Sequence, residues 1–136
     1  MKRKVSLVCI LCLLVSGCQT APSKEAVASA EYGPYPDNYK ELIQAFVARV
    51  AIDPDPNSTK VEFELPVKGY MPESNNPFAP YPYEFGWIVN TWVNGKNRYG
   101  GYTGERPWTF LLRDGEIRLI RSVAITGYYA RPTDWR

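Results

Sequence analysis

Residues 108–123 read Trp-Thr-Phe-Leu-Leu-Arg-Asp-Gly-Glu-Ile-Arg-Leu-Ile-Arg-Ser-Val, and they carry the clearest local structural signal in the chain. Its centre, Asp114-Gly115, is typical of a two-residue type I′ turn, which joins two antiparallel strands. The register that this turn predicts places Arg113 opposite Glu116, Leu112 opposite Ile117, and Phe110 opposite Leu119. Residues 108–123 are therefore predicted to form a β-hairpin.

The two faces of this hairpin differ in polarity, because successive side chains of a strand point to opposite sides of a sheet. The predicted apolar face consists of Trp108, Phe110, Leu112, Ile117 and Leu119. The predicted polar face consists of Thr109, Arg113, Glu116 and Arg118. Pattern and turn chemistry give the same register, so one face of the hairpin is expected to cover a core.

Two further strands are predicted upstream of the hairpin. Residues 60–65 alternate between polar and apolar side chains, as in a strand with one buried face. Residues 84–93 carry apolar side chains on both faces, with Ile88 and Trp92 on the second face, which favours a central strand. The segment between them, residues 66–82, is rich in proline and asparagine and is expected to be a long rigid loop.

A helix is predicted before these strands. Asn38 and Glu41 have the spacing of a capping box, and Asp37 is the alternative N-cap. Apolar residues at helical spacing then form one stripe, which consists of Leu42, Ile43, Phe46, Val47 and Val50. A helix lays such a stripe on a sheet. The Asp-Pro-Asp-Pro sequence at residues 53–56 ends the helix, because proline lacks a backbone donor and restricts the residue before it.

Together these segments predict an α+β fold. One N-terminal amphipathic helix is expected to pack on a mostly antiparallel sheet of about four strands. The alternating strands and the striped helix each present one apolar face, and burying both faces against each other gives a two-layer domain.

The first residues have the layout of a bacterial secretory signal. Lys2-Arg3-Lys4 is a basic start, residues 5–15 form a short apolar run, and small residues precede Cys18. The apolar run is about half the roughly 20 residues that a membrane-spanning helix needs. A cleaved signal is therefore favoured over an uncleaved membrane helix.

The segment Val15-Ser16-Gly17-Cys18 resembles a lipobox, the signature of bacterial lipoproteins. The resemblance implies that residues 1–17 are removed as a signal peptide and that Cys18 is acylated by chains such as palmitate, which together anchor stably. Gln19 stands where an aspartate favours inner-membrane retention, which implies an outer-membrane anchor facing the periplasm of a Gram-negative cell. Residues 18–31 are then the lipidated cysteine and a flexible tether, and residues 32–136 a single periplasmic α+β domain.

Composition narrows the functional classes. Loss of Lys2-Arg3-Lys4 with the signal leaves 13 of the 16 basic side chains against 14 acidic ones, so no surface for nucleic acid is predicted. The chain has no histidine, which removes the commonest general base and the commonest metal ligand. We therefore expect no catalytic residue, no metal site and no cofactor, and we expect that the protein is not an enzyme.

The most distinctive segment is Asn-Arg-Tyr-Gly-Gly-Tyr-Thr-Gly at residues 97–104. Its glycines permit positive φ angles and the close approach of another backbone. Arg98, Tyr99 and Tyr102 offer stacking and hydrogen bonding to a sugar or a peptide, and they are the candidate residues for ligand or partner binding. The alternative is a structural loop whose tyrosines cover the edge of the core, since aromatic side chains carry large apolar areas.

Two acidic patterns also have a structural alternative. Asp53, Asp55 and Asn57 have the spacing that begins a calcium loop, but the glycine and the distal glutamate of such a loop are missing. Helix termination explains these three residues better.

Glu62 and Glu64 share one strand face at a separation of about 7 Å, within the range of paired glycosidase carboxylates. Alternation alone, however, predicts a solvated charged face there.

Four tyrosines lie beside prolines, namely Tyr32, Tyr35, Tyr81 and Tyr83. One interpretation is that they form a groove for a peptide. The alternative is that they pack a loop onto the domain, which buries their apolar rings.

Several segments together resemble a family of small Gram-negative outer-membrane lipoproteins of unassigned function. The matching segments extend over most of the mature chain and are Tyr32-Gly33-Pro34-Tyr35-Pro36, Asn38-Tyr39, Asp53-Pro54, Gly86-Trp87, residues 97–104 and Arg113-Asp114-Gly115. Residues 99–104 are the most specific part. The resemblance implies no activity and no catalytic residue.

These observations predict a lipid-anchored periplasmic binding or assembly module of the cell envelope. Its expected partners are the membrane, through acylated Cys18, and an envelope protein or peptidoglycan. One alternative is the binding of cell-wall glycan by exposed aromatic residues, and another is a hydrolase with paired carboxylates. A clustered, exposed platform of Tyr99, Tyr102 and Trp92 would indicate a glycan, whereas their burial would indicate a protein partner or a structural role.

Overall fold

The computed structural model describes residues 21–53, 55, 57–73 and 83–122, and the backbone of 129–130. The helices are α1 (Lys24–Ser29) and α2 (Tyr39–Val50). The strands are β1 (Lys60–Phe63), β2 (Val67–Pro72), β3 (Tyr83–Asn94), β4 (Arg106–Arg113), β5 (Glu116–Ser122) and β6 (Tyr129–Ala130). The chain is thus an α+β protein, as predicted.

All six strands belong to one sheet, and every strand pair in it is antiparallel. The strand order is β1-β3-β4-β5-β6, and β2 pairs with β3 as well. β1 pairs with the C-terminal third of β3 and β2 with its N-terminal half, so β1 and β2 lie end to end along the same edge. The six strands therefore occupy five positions, and the described residues contain two helices, against the predicted four strands and one helix.

The prediction that residues 66–82 are wholly a loop was wrong for Val67–Pro72, which forms β2. The glycine and prolines of this segment hide its pairing with β3. Gly69 lies opposite Gly86, and a Cβ on Gly69 would come within 2.5 Å of the Ile88 side chain. The glycine thus marks a close approach between strands, one of the recognised uses of glycine inside a strand.

The junction between β1 and β2 contains an extra residue. Phe63 lies opposite Thr91 but Val67 lies opposite Ile88, so residues 64–66 span only two residues of β3. Such an insertion moves the following side chains to the other face of the sheet. Leu65, which alternation places with Phe63 on the buried face, is instead 73% exposed.

Helix α2 packs on one face of the sheet and forms the main core. Its side of the core consists of Tyr39, Ile43, Phe46 and Val47, with Leu42 and Val50 partly buried beside them. The sheet contributes Val89, Phe110, Leu112 and Ile120, among others. The ring of Phe46 lies edge-on to the ring of Phe110, with centroids 5.9 Å apart. The predicted stripe is therefore confirmed, although the side chain of the N-cap residue Asn38 makes no capping hydrogen bond.

A smaller apolar cluster lies on the opposite face of the sheet. Met71, Leu111 and Leu119 are buried there, and Ile88 packs against them. β3 thus carries buried side chains on one face and partly buried ones on the other near its start, as expected for a central strand. Trp92, near the end of the same strand, is 37% exposed.

The predicted hairpin of β4 and β5 forms with the predicted turn. Asp114 has a φ of 52° and Gly115 a φ of 77°, the positive angles that a type I′ turn requires. Beyond Leu112 opposite Ile117, however, the register shifts by one residue. The predicted pairing of Phe110 with Leu119 was therefore wrong. Phe110 lies opposite Ile120 and Leu119 opposite Leu111, which places Leu119 in the smaller cluster.

Arg118 is the extra residue at this irregularity. Its guanidinium forms an ion pair with Glu84, with Nε 2.6 Å from Oε1. The hydrogen bond and the charge of Glu84 raise the pKa of Arg118 above its ordinary value, with a smaller contribution from Glu116. The bulge therefore interrupts the alternation of side chains along β5, and it places the Arg118 guanidinium beside Glu84 of β3.

Helix α1 lies within the segment predicted as a flexible tether. Ser23 caps it by accepting a hydrogen bond from the Ala26 backbone N–H at 3.1 Å. The Tyr32 hydroxyl donates to the carbonyl of Val27 at 2.9 Å, which joins this short helix to the start of the predicted domain. The predicted signal peptide and Cys18 lie outside the described residues, so both stay predictions.

Candidate functional site

The loop between β3 and β4, residues 95–105, is referred to below as the tyrosine loop. Its tip is organised by Asn97, whose Oδ1 accepts hydrogen bonds from the backbone N–H groups of Tyr99 at 2.9 Å and Gly101 at 3.1 Å. The backbone N–H of Asn97 donates to the Gly101 carbonyl at 2.8 Å, and its carbonyl accepts from Gly100 at 2.9 Å. One asparagine thus closes the tip of the loop, as such side chains do in Asx turns.

The base of the tyrosine loop is closed as well. The backbone N–H of Thr103 donates to the Gly95 carbonyl at 3.0 Å, and its hydroxyl donates to the same oxygen at 3.2 Å. Lys96 and Tyr102 form an antiparallel bridge between the two sides. The loop is therefore a hydrogen-bonded extension of the sheet, with a conformation that exists before any partner binds.

The three candidate binding residues lie on the surface of this loop. Arg98 is exposed, Tyr99 is 89% exposed, and Tyr102 is 45% exposed. The alternative in which the tyrosines cover the core edge does not describe Tyr99, whose side chain is almost entirely in solvent. The loop conformation presents this ring outward.

Two lysines flank Tyr102, which the sequence pattern did not indicate. Lys60 Nζ lies 4.9 Å from the ring centroid and Lys96 Nζ lies 5.5 Å from it. Both distances are within the range of cation–π attraction. The exposed tyrosine therefore sits in a locally positive environment, which favours an anionic or carboxylate-bearing partner.

The three aromatic residues that were expected to distinguish a glycan from a protein partner are all exposed. Tyr99, Tyr102 and Trp92 nevertheless form no ring contact with one another in the described part of the chain. Exposure agrees with the expectation for a glycan surface, whereas stacking into one platform is not observed.

The acidic patterns have structural roles. Oδ1 of Asp53 accepts a hydrogen bond from the backbone of Asp55 at 3.0 Å, and Oδ1 of Asp55 accepts one from Asn57 at 2.9 Å. Both bonds belong to turns that follow α2.

Glu62 and Glu64 are exposed, and Oε2 of Glu64 accepts a hydrogen bond from the side-chain amide of Asn90 at 2.9 Å. Across the described residues, no three His, Cys, Asp or Glu side chains come together as a metal site requires.

The tyrosines beside prolines pack the chain onto the sheet where the structure describes them. The ring of Tyr32 lies edge-on to Phe85 at 5.9 Å, and the ring of Tyr35 lies edge-on to Trp87 at 5.0 Å. Lys68 lies over both Tyr32 and Trp87. Tyr81 lies outside the described residues. The packing alternative describes the half-buried Tyr32, whereas Tyr35 packs on Trp87 and stays 43% exposed.

An apolar pocket adjoins the base of the tyrosine loop, and it was not predicted. It has a volume of about 280 Å³ and lies between the C-terminal end of α2 and the sheet. Its lining consists of Val47, Val50, Ala51, Ile52, Thr59, Val93, Gly95, Lys96, Thr103, Arg106 and Trp108. These residues come from separate segments of the chain, and no local pattern in the sequence indicates that they converge.

Thr59 in the wall of this pocket has an unusual hydroxyl group. Its Oγ1 is shielded from solvent and has no hydrogen-bond partner among the described residues. A buried hydroxyl without a partner is unfavourable for folding, so such groups are rare. Thr59 also lines a second, more polar cavity beside α2, of about 450 Å³.

No protein-family model, no curated protein and no solved structure matches the chain. The helices of the described segments are all too short or too polar to span a lipid bilayer.

Proposed function

We propose that this protein is a lipid-anchored binding or assembly module of the cell envelope, without catalytic activity. The N-terminal residues support this proposal through their resemblance to a lipoprotein signal that ends at Cys18. In this proposal, residues 1–17 are removed, residues 18–31 join the acylated cysteine to the domain, and residues 32–136 form that domain in the periplasm. The anchor is in the outer membrane.

The observation that carries the binding role is the tyrosine loop. Its hydrogen bonds fix the backbone before binding, while Tyr99 is 89% exposed at the tip. A large aromatic ring on a preorganised loop gains buried area on binding with little loss of conformational entropy. Arg98 next to it supplies a cation that can donate several hydrogen bonds. The contact surface in this proposal is therefore Arg98, Tyr99 and Tyr102.

The exposure of Tyr99, Tyr102 and Trp92 favours a second candidate, the binding of peptidoglycan. Sugar rings have apolar faces that pack on exposed aromatic rings, and peptidoglycan also carries carboxylates on its stem peptides. Lys60 and Lys96 beside Tyr102 complement such carboxylates. The two candidates share one surface and differ in what it contacts.

Site-specific crosslinking in intact cells tests the proposal. A photo-reactive phenylalanine analogue replaces Tyr99 in one strain and Lys40, an exposed residue of α2, in a matched control strain. We expect a specific crosslinked species from position 99 and none from position 40. A protein adduct supports assembly, whereas an adduct that lysozyme digestion releases from sacculi supports glycan binding. Identical patterns from the two positions would contradict a contact role for the loop.

A further inference from the structure

We infer that the apolar pocket at the end of α2 binds an aliphatic carboxylate, the chemistry of a medium-chain fatty acid. Apart from Lys96, which the peptidoglycan candidate also uses, this inference concerns residues outside the proposed contact surface. The pocket can therefore bind a carboxylate whether or not Arg98, Tyr99 and Tyr102 contact a partner.

The lining of the pocket suits a hydrocarbon chain. Val47 and Trp108, which belong to the main core, extend it into the pocket, and Val50 is partly buried beside them. Ile52 completes the wall although it is 71% exposed. A bound chain would cover this side chain, and the removal of apolar surface from water favours binding. The volume of about 280 Å³ lies near the lower end of known ligand pockets, which indicates a small ligand.

The charges around the pocket suit an anionic head group. Lys96 and Arg106 line it, and no acidic residue is among its lining residues within the described chain. Neither cation forms an ion pair with another described residue. Arg106 lies opposite Val93 in the sheet, which fixes its backbone at this position. Two uncompensated cations beside an apolar cavity complement a carboxylate attached to a hydrocarbon.

The same geometry sets the orientation of the ligand. The last carbonyl groups of a helix carry partial negative charge, so the end of α2 repels a carboxylate. The lysine and the arginine, by contrast, come from the sheet side of the pocket. The hydrocarbon therefore lies toward Val50 and Ile52, and the carboxylate lies toward Lys96 and Arg106. A peptide fits less well, because the mostly apolar lining leaves its amide groups without partners.

Calorimetry with octanoate tests the inference on the purified full-length protein in nanodiscs of zwitterionic lipid, with empty nanodiscs as the blank. Octanol has the same chain with a neutral head group, and acetate has the head group with almost no chain. We expect saturable binding of octanoate at one site, roughly tenfold weaker binding of octanol, and no detectable binding of acetate. Absence of saturable octanoate binding overturns the inference, as does equal affinity for octanol.

Charge variants locate the binding site. The double variant Lys96→Gln with Arg106→Gln is expected to reduce octanoate affinity to that of octanol. The matched control, Lys24→Gln with Lys40→Gln, removes the same charge from exposed positions outside the pocket and the contact surface, and it is expected to leave the affinity unchanged. Equal losses in both double variants mean that net charge alone attracts the anion, and the inference is then wrong.

A third variant tests whether octanoate binds in the pocket if the variant Lys96→Gln with Arg106→Gln does not fold. Ile52→Glu changes an exposed side chain and places a carboxylate at the pocket. We expect at least a tenfold loss of octanoate affinity from it. Unchanged affinity contradicts the inference. Tighter binding of an acetylated tripeptide that ends in leucine than of octanoate also overturns it, because the pocket then accepts a peptide carboxylate.

Discussion

The indole Nε1 of Trp87 donates a hydrogen bond of 3.1 Å to the carbonyl oxygen of Gly33, which precedes it by 54 positions. This bond joins the segment before α2 to a central strand of the sheet. Gly33 has a φ of 74°, and a Cβ at this position would lie 2.7 Å from Oδ1 of Asp114 in the hairpin turn. The segment around Gly33 therefore runs closely over the turn of β4 and β5 and is held there by Trp87 and Tyr35.

The contact around Gly33 predicts the effect of an alanine at that position. Gly33→Ala combines an unfavourable positive φ with a clash against Asp114, and we expect it to lower the free energy of unfolding by about 2 kcal/mol. Gly100→Ala is the matched control, because Gly100 has a φ of 81° and nothing within 4 Å of its Cβ position. We expect a loss of about 1 kcal/mol from the control. Urea denaturation measures both, and equal losses would mean that the contact with Asp114 contributes nothing.

The hairpin turn depends on the conformation of Gly115. Gly115→Val forces a β-branched residue to adopt a positive φ, and we expect it to destabilise the domain by about 1–2 kcal/mol. Gly115→Asn is the control, because asparagine tolerates the left-handed region, and its effect should be smaller. The denaturation midpoint measures both variants. An unchanged midpoint for Gly115→Val would contradict the role of the turn in setting the hairpin.

The sequence predicted those elements of the fold whose local signals agree with one another. In the hairpin, Asp114-Gly115 and the adjoining alternation gave the turn and the first two residue pairs. The pairing of Phe110 could not be predicted, because the bulge at Arg118 is favoured by a distant ion pair with Glu84. β2 was missed for a similar reason, since its glycine is required by the close approach of Ile88. Irregularities that depend on tertiary contacts leave no periodic signal in a sequence.

The candidate site was predictable in composition and not in geometry. The glycines and tyrosines of the loop marked it as distinctive, yet the sequence favoured a structural loop whose tyrosines cover the edge of the core. Exposure of Tyr99 follows from the hydrogen bonds of Asn97, which no pattern of hydrophobicity encodes. The apolar pocket could not be predicted from the sequence, because residues as far apart in the chain as Ile52 and Arg106 line one cavity only after folding.

The unpartnered hydroxyl of Thr59 predicts a stabilising substitution. Thr59→Val keeps the shape of the side chain and removes a buried polar group without a partner, so we expect the free energy of unfolding to rise by about 1 kcal/mol. Thr91→Val is the matched control, because the buried hydroxyl of Thr91 donates to the Trp108 carbonyl at 3.1 Å. The control should lower stability, since it removes that buried hydrogen bond. Thermal unfolding measures both, and a destabilising Thr59→Val would mean that the hydroxyl has a partner.

The proposed anchor depends on the sulfur of Cys18. Cys18→Ser removes the nucleophile that the lipoprotein resemblance identifies as the acylation site, so the precursor should be neither lipidated nor cleaved and should fractionate with the inner membrane. Cys12→Ser is the control, because that residue lies inside the apolar part of the signal. Metabolic labelling with a palmitate analogue and membrane fractionation measure the outcome. A mature Cys18→Ser protein in the outer membrane would contradict the anchor.

The last prediction separates the contact surface from the fold. Tyr99 is 89% exposed and Tyr102 is 45% exposed, so truncating both removes less buried area than truncating one core ring. The double variant Tyr99→Ala with Tyr102→Ala should therefore lose only modest stability in urea denaturation. It should nevertheless capture less of the envelope partner, or bind less to isolated sacculi, because the exposed rings supply the contact.

Phe110→Ala provides the contrast for this double variant. The ring of Phe110 is fully buried between β4 and α2, where it contacts Phe46, so its truncation leaves a cavity and should cost about 3–5 kcal/mol. If the double tyrosine variant unfolds as readily as Phe110→Ala, the tyrosines support the fold and the contact surface was assigned wrongly. If the double variant stays folded and captures its partner undiminished, binding takes place elsewhere on the domain. Only loss of capture by a folded protein agrees with a binding role for the loop.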